Sequence, residues 1–470
     1  MINLISQLKP MGFESLSPNL IKEECGVFGV YNKDGNCAQT VYYGLYALQH
    51  RGEEACGIAT VNDLELSCHK GKGLVGEVFT ESILNDLGGT MAIGHVLYNS
   101  VGKSRKDNTQ PLALKYIKGS LAVAHNGALT NAAELKREFE YKGAVFHTTT
   151  DSEVIAYAIA QARLHSGSAE AAVSCAMKQL RGAFSLVVMS SQKLIAARDP
   201  WGFRPLCIGK KGDAYFFVSE SCALDSIGAT FVRDVKPGEI VWVYNGELFS
   251  DTENCQDKTS LCIFEHLYIA RPDSVIDGQS VYDARIIAGR YLAREFPIDA
   301  DVVIGPPDTG LIAAKGYALE TGIPYNDGFI KNRYIGRTFI APQNVDREEI
   351  VKIKLNPLKT IVNGKRVVVV DDSIVNGVTV VRTVKLLRDC GAKEIHMLSS
   401  APKCISTCNY GTDFTSKENL FANKYTDEEM LKITGADSLH FLSIENLKNI
   451  APDSACDFCD ACYTENYPVV

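Results

Sequence analysis

The stretch VVVVDDSIVNGVT, residues 367–379, decides how the second half of this chain folds. Four consecutive valines show no alternation of apolar and polar residues. Both faces of that strand are therefore expected to be buried, as in a parallel sheet covered by helices. Asp371 and Asp372 follow where the apolar run stops, and ligands of open α/β sheets bind outside the carboxyl ends of strands. Gly377 then precedes VTVVRTVKLLRDCG, an apolar-periodic run predicted to be helical. A strand, a short polar loop and a helix start together offer backbone N–H groups to a phosphate. Two carboxylates beside them suit ribose hydroxyls or a hydrated Mg2+, which prefers one or two carboxylates plus substrate oxygens. An isolated Asp-Asp-Ser could do no more than solvate a strand end, with Ser373 capping the helix, so the flanking sequence has to decide.

Outward from this stretch, ADVVIGPPD (300–308) leads into TGLIAAKGYALETG, which closes on Gly322, and EIHMLSSAP (394–402) supplies the next strand. Strand, helix and strand in succession predict an α/β domain with a mostly parallel sheet. Upstream the pattern differs. FSLVVMS, LIAAR, YFFVSE and EIVWVYNGELF read as short strands, and Asn245-Gly246 in the last marks a type I′ hairpin. Helices are predicted from about Thr130–Asn131 and after Asp151, with Asp151 or Ser152 as N-cap. This half is expected to be β-rich and antiparallel with helices on its faces, and the polar stretch 250–260 is the expected linker.

Composition sets the outer bounds. A chain of 470 residues has room for about two or three domains. Lys and Arg number 48 against 56 Asp and Glu, a formal charge of −8. That balance argues against nucleic acid, which needs a basic stripe. No apolar run approaches a membrane span. The first 24 residues lack the apolar core of a secretory signal. A reducing, cytoplasmic setting follows, where the fifteen cysteines are not expected to form a disulfide framework.

With PPDTG (306–310) and KNRYIGRTFI (331–340), the stretch at 367–379 resembles the PRPP-binding motif of type I phosphoribosyltransferases. Two arginines and a lysine within seven residues could close over a pyrophosphate. In the first half, Cys25 in ECGVFGV, HRGEEACGI (50–58), AHNGALTN (124–131) and TTTDSE (148–153) resemble class II glutamine amidotransferases. Their fold is the N-terminal-nucleophile αββα sandwich. A glutaminase followed by a PRPP-binding domain resembles the glutamine phosphoribosylpyrophosphate amidotransferases, over residues 25–470.

The resemblance implies a propeptide at 1–24, a glutaminase domain at 25–255 and a phosphoribosyltransferase domain at 256–470. Cys25 would be the nucleophile, with its own α-amino group as base. Asn126 and the Gly127 N–H would form the oxyanion hole, Arg51 would hold the glutamine carboxylate, and Asp151 its ammonium. His50, His95 and His125 are expected to be structural. Thr309, Asp371 and Asp372 would hold Mg2+. Ser373, Gly377 and Thr379 would bind the 5-phosphate, and Lys331, Arg333, Tyr334 and Arg337 the pyrophosphate. Cys262, Cys408, Cys459 and Cys462 match the [4Fe–4S] ligands of the iron–sulfur subgroup. Zinc on the same thiolates, Cys456 in place of Cys459, and Cys404 as ligand remain open. Purine nucleotides as inhibitors and a homo-oligomer, usually a tetramer, are also implied.

The chain departs from the family pattern at five positions, one of them the unusual Asn99 in GHVLYNSVG (94–102). Leu97 stands for an arginine and Glu53 for a glutamine, while Asn376 and Val378 stand for Arg and Thr. Two other readings therefore keep to the same residues: a paralogue with a silent glutaminase fed by free ammonia, and a non-catalytic nucleotide-binding regulator.

Overall fold

The computed structural model describes residues 25–98, 106–332, 355–412, 414 and 416–469. The leader, Asn99, and the expected pyrophosphate residues Arg333, Tyr334 and Arg337 lie outside them.

Cys25–Tyr31 is a strand buried on both faces, which explains why CGVFGVY carries no alternation. It pairs antiparallel with Met91–Leu97 on one side and Ala214–Val218 on the other. Among the described residues these belong to a seven-stranded sheet, and a second sheet of six strands runs from Leu112–Tyr116 to Glu247–Asp251. Val27, Ala59 and Ile93 of the first sheet pack on Ala124, Val187 and Ala196 of the second. The outer faces carry helices. Cys37–Ala47 supplies Val41 and Leu45 to one outer core, and Asp151–His165 supplies Val154 and Ile155 to the other. These four layers are the αββα sandwich expected from the motifs. The Asn245-Gly246 turn takes φ of 51° and 84° and joins Ile240–Tyr244 to Glu247–Asp251 as a hairpin, as predicted.

The second half is built on four parallel strands, Val302–Ile304, Arg366–Asp371, Glu394–Ser399 and Ser438–Phe441, in that spatial order. Val368 and Val370 face a core with the helices Val281–Glu295 and Gly310–Thr321. Val367 and Val369 face a second core with the helix Val378–Asp389. The valine run is thus buried on both sides. Gly322, at φ 75°, ends its helix as the sequence predicts.

One boundary differs from expectation. The N-cap of Asp151–His165 is Thr150, and Asp151 is the first helical residue. Its carboxylate accepts the buried Leu129 N–H at 2.7 Å. Among the described residues no helix is long and apolar enough to cross a membrane.

Candidate active sites and their relatives

The first site lies where Cys25–Tyr31 begins. Cys25 is fully buried against Ala55 and Leu97, and Leu97 is its direct partner in the ladder. The Cys25 backbone N–H donates to Asn126 Oδ1 at 3.3 Å, while Asn126 Nδ2, also buried, has no hydrogen-bond partner. A buried amide donor left open beside a thiol is costly unless something binds there. Gly127 follows at φ 140°, and a Cβ on it would meet the Ala183 carbonyl oxygen at 2.2 Å, so only glycine fits. The structure thus brings Cys25, Asn126 and Gly127 together.

Arg51 is close by but does not present a free guanidinium. Its Nε donates to the Cys25 carbonyl at 2.9 Å, and its Nη atoms donate to Glu220 at 2.6 Å and to Glu265 at 2.8 and 2.9 Å. Where a receptor for a substrate carboxylate was expected, the guanidinium faces two protein carboxylates. Both are held below the usual carboxylate range against the effect of burial, Glu220 by His50 and Arg51, Glu265 by Arg51 and Arg204.

Asp151, at the start of its helix, lies 3.6 Å from His125 Nδ1, and burial raises its pKa. The three histidines each contact protein groups. His50 meets Glu220 at 2.7 Å, His95 meets the His125 carbonyl at 3.1 Å, and His125 meets Ser152 at 3.1 Å and the Ala183 carbonyl at 3.3 Å. Burial lowers the pKa of His95 to about 3, which keeps it neutral.

The second site is a cavity of about 410 Å3 at the carboxyl end of Arg366–Asp371, lined by Thr309, Asp371, Asp372, Ser373, Gly377 and Thr379. Asp372 accepts from the hydroxyls of Thr309 and Ser373. Burial, and for Asp371 the adjacent Asp372, raises both carboxyl pKa values. Gly377, at φ 77°, opens the helix, and a Cβ there would collide with the Phe421 ring at 2.7 Å. Asn376 Oδ1 accepts from the Val378 N–H at 3.2 Å, tightening the same turn. Lys331 pairs with Asp308 of the PPDTG loop. Sequence reading assigned no role to Tyr98, Phe264, Tyr268 and Thr412, which complete the wall. The first three are aromatic, and that character was the available signal.

The cysteine-rich tail folds back onto this half. Phe458–Cys459 pairs in parallel with Leu261–Cys262, setting Cys262 opposite Cys459. The N–H groups of Ile405 and Ser406 donate to the Cys462 carbonyl at 3.0 and 3.1 Å. Cys404, Cys408, Cys459 and Cys462 share one core, with Cys262 packed against it. Burial pushes up the Cys462 thiol, with Cys404, Cys262, Cys408 and Cys459 adding to the effect. Cys456 belongs to another core, and its neighbours are Asp277, the partner of Arg198, and Arg198 itself. That separates it from the other thiols. Among the described residues no three His, Cys, Asp or Glu side chains are posed to hold a single metal ion.

A glutamine amidotransferase domain model matches residues 99–226, and a phosphoribosyl transferase domain model matches 279–407. The chain is 45% identical to the amidophosphoribosyltransferase of Methanocaldococcus jannaschii, over 94% of this chain and 97% of that protein. It is also 45% identical to that of Bacillus subtilis, over 95% and 94%. The solved B. subtilis glutamine PRPP amidotransferase, complexed with ADP and GMP, superposes with a TM-score of 0.88 at 44% identity, covering 95% of this chain and 98% of that one. With relatives of that identity along nearly its whole length and both domain types in the same order, the chain belongs to the amidophosphoribosyltransferase family.

Proposed function

We propose that the chain is a glutamine-dependent amidophosphoribosyltransferase of purine synthesis. It converts PRPP, glutamine and water to 5-phosphoribosylamine, glutamate and pyrophosphate, in a propeptide (1–24), a glutaminase (25–255) and a phosphoribosyltransferase (256–470). The observation that carries this reading is the unpartnered Asn126 Nδ2 beside buried Cys25, in a chain that also holds the Asp371–Asp372 cavity.

Removal of the leader frees the Cys25 α-amino group, whose pKa of about 7.7–8.0 lies near the thiol's value of about 8.5. That amine takes the thiol proton as sulfur attacks the glutamine amide, and returns it to the departing ammonia. Asn126 Nδ2 and the Gly127 N–H hold the developing oxyanion, and Asp151 takes the substrate ammonium. Arg51 is assigned to the Cys25 carbonyl, which it already binds. In the second site, Ser373, Gly377 and Thr379 hold the 5-phosphate, and Lys331 with Arg333, Tyr334 and Arg337 gathers the pyrophosphate. Thr309, Asp371 and Asp372 fit Mg2+, since two clustered carboxylates need a compensating cation. Bound there, Mg2+ supplies charge to the leaving pyrophosphate.

Cys262, Cys408, Cys459 and Cys462 fit a [4Fe–4S] cluster. Cys408, Cys459 and Cys462 share one core with Cys262 packed against it, and soft thiolates are the ligands that iron–sulfur clusters take. Cys404 lies beside Cys462 as the rival ligand. Cys462→Ser should lose iron and brown colour, whereas Cys456→Ser should keep both. Iron analysis of anaerobically purified protein checks this, and equal loss in the two variants would count against the assignment. Purine nucleotides are the proposed inhibitors, in line with the ADP and GMP of the B. subtilis relative. A cytoplasmic homo-oligomer, as a tetramer, completes the reading.

The test is phosphoribosylamine formation, measured with glutamine and then with ammonium salts. Turnover with both supports the proposal. Turnover with ammonia alone would mark a silent glutaminase, and none with either would mark a regulator.

A further inference from the structure

Four buried charges, two of each sign, lie between the two sites. Arg51, Arg204 and Glu220 come from the first half, and Glu265 from the second. Their side chains are at most 1% exposed. Such a set is tolerated in a core only when every charge is paired and hydrogen-bonded. Glu265 is the shared member. Its Oε1 accepts from Arg51 Nη2 at 2.8 Å and from Arg204 Nη1 at 3.1 Å, and its Oε2 accepts from Arg51 Nη1 at 2.9 Å.

The set is anchored at both ends. Arg51 Nε holds the carbonyl of Cys25 at 2.9 Å, on the very residue whose sulfur and amine react. Arg204 Nη2 donates to the Tyr410 carbonyl at 3.2 Å and to Thr412 Oγ1 at 3.0 Å. Thr412 lines the cavity that contains Asp371 and Asp372. Glu265 itself is not among the described residues that line that cavity.

We propose that Glu265 is a positioning residue for the Cys25 nucleophile, acting through Arg51 and fixed in turn by Arg204. The glutaminase site is then completed by a carboxylate from the phosphoribosyltransferase half. This rests on the reading of Cys25 as nucleophile. Near-attack geometry is sensitive to small displacements, so losing the clamp should slow the sulfur's attack without weakening glutamine binding. A role limited to joining the two halves would depress both nitrogen sources together.

The test compares Glu265→Gln and Glu265→Asp in the full-length enzyme. The readouts are kcat and KM for glutamine, the ammonia-supported rate, and the rate at which a chloroketone analogue of glutamine alkylates Cys25. Gln keeps the shape but leaves a buried guanidinium uncompensated. For Glu265→Gln, kcat with glutamine and the alkylation rate should fall about 10- to 100-fold, with KM and the ammonia-supported rate changed less than about threefold. Glu265→Asp, which restores the charge, should recover part of the loss. If Glu265→Gln does not fold, Arg204→Lys, which keeps the charge but not the fork, should show the same split in smaller degree. An unchanged kcat with glutamine overturns the proposal, as does a loss confined to KM or a parallel loss with both nitrogen sources. Wild-type enzyme that resists alkylation at Cys25 would instead overturn the nucleophile assignment itself.

Discussion

Cys25→Ala should lower glutamine-supported phosphoribosylamine formation by at least about 1,000-fold, as removal of a covalent nucleophile does elsewhere. Ammonia-supported formation should stay within about twofold, because nothing at the second site changes. The selectivity follows from where the residue sits. Cys25 is buried in a small apolar group with Ala55 and Leu97, and the second cavity is built from other strands. Asn126→Ala removes the open Nδ2 donor and should cost about 100- to 1,000-fold in kcat with glutamine, the range for one oxyanion donor. Intact mass belongs in the same experiment, since the α-amino group acts as base only when the protein begins at Cys25. Glutamine turnover that survives Cys25→Ala, or a fully active enzyme that retains residues 1–24, would each sink the mechanism.

Local chemistry in the sequence carried much of the fold. The four valines at 367–370 read as a doubly buried strand because no polar residue interrupts them, and both of their faces are in cores. Asn245-Gly246 read as a hairpin because that pair tolerates positive φ, and it has it. The Arg51 environment could not be read this way. Its partners Glu220 and Glu265 lie 169 and 214 residues away, and no periodicity or spacing links such positions. An arginine beside a nucleophile invites a substrate role, and only the tertiary structure shows that its guanidinium also bonds the Cys25 carbonyl, Glu220 and Glu265. Leu97 shows the converse. As a departure from the family pattern it reads as a missing cation, and the structure adds that its side chain fills space against Cys25. The cysteines divide along the same line. Cys456, Cys459 and Cys462 fall within seven residues, but only tertiary pairing sends Cys456 toward Asp277 and Cys459 toward Cys262. The N-cap is Thr150, not Asp151 or Ser152, and the Asp151 carboxylate accepts the N–H of Leu129, a partner 22 residues away that no local pattern announces.

Asp371→Asn should yield a protein that is more stable than the wild type without Mg2+ and nearly inactive with it. Asp371 and Asp372 are each 7% exposed. Burial is the main cause that raises their pKa values, and repulsion from Asp372 adds to it for Asp371. Asp372 has compensation from the Thr309 and Ser373 hydroxyls and from the charge of Arg285. Asp371 accepts the Asp372 backbone N–H at 3.0 Å, and the neighbouring Asp372 charge opposes its ionisation. Ionised together, the pair costs stability until a divalent cation offsets it. Asparagine keeps the shape and removes one charge, so melting of the metal-free protein should rise by about 2–4 °C, the equivalent of about 1 kcal/mol in a domain of this size. The same change removes a carboxylate from the proposed Mg2+ site. Losing several kcal/mol of charge stabilisation at the leaving pyrophosphate corresponds to about 1,000-fold in rate, with glutamine and ammonia alike. Thermal melts with and without Mg2+ test the pair directly. Wild-type protein should be stabilised by Mg2+ and the variant much less. A variant that melts lower than wild type without metal, or that keeps the full Mg2+ response, would show that this carboxylate belongs to the scaffold and not to the cation site.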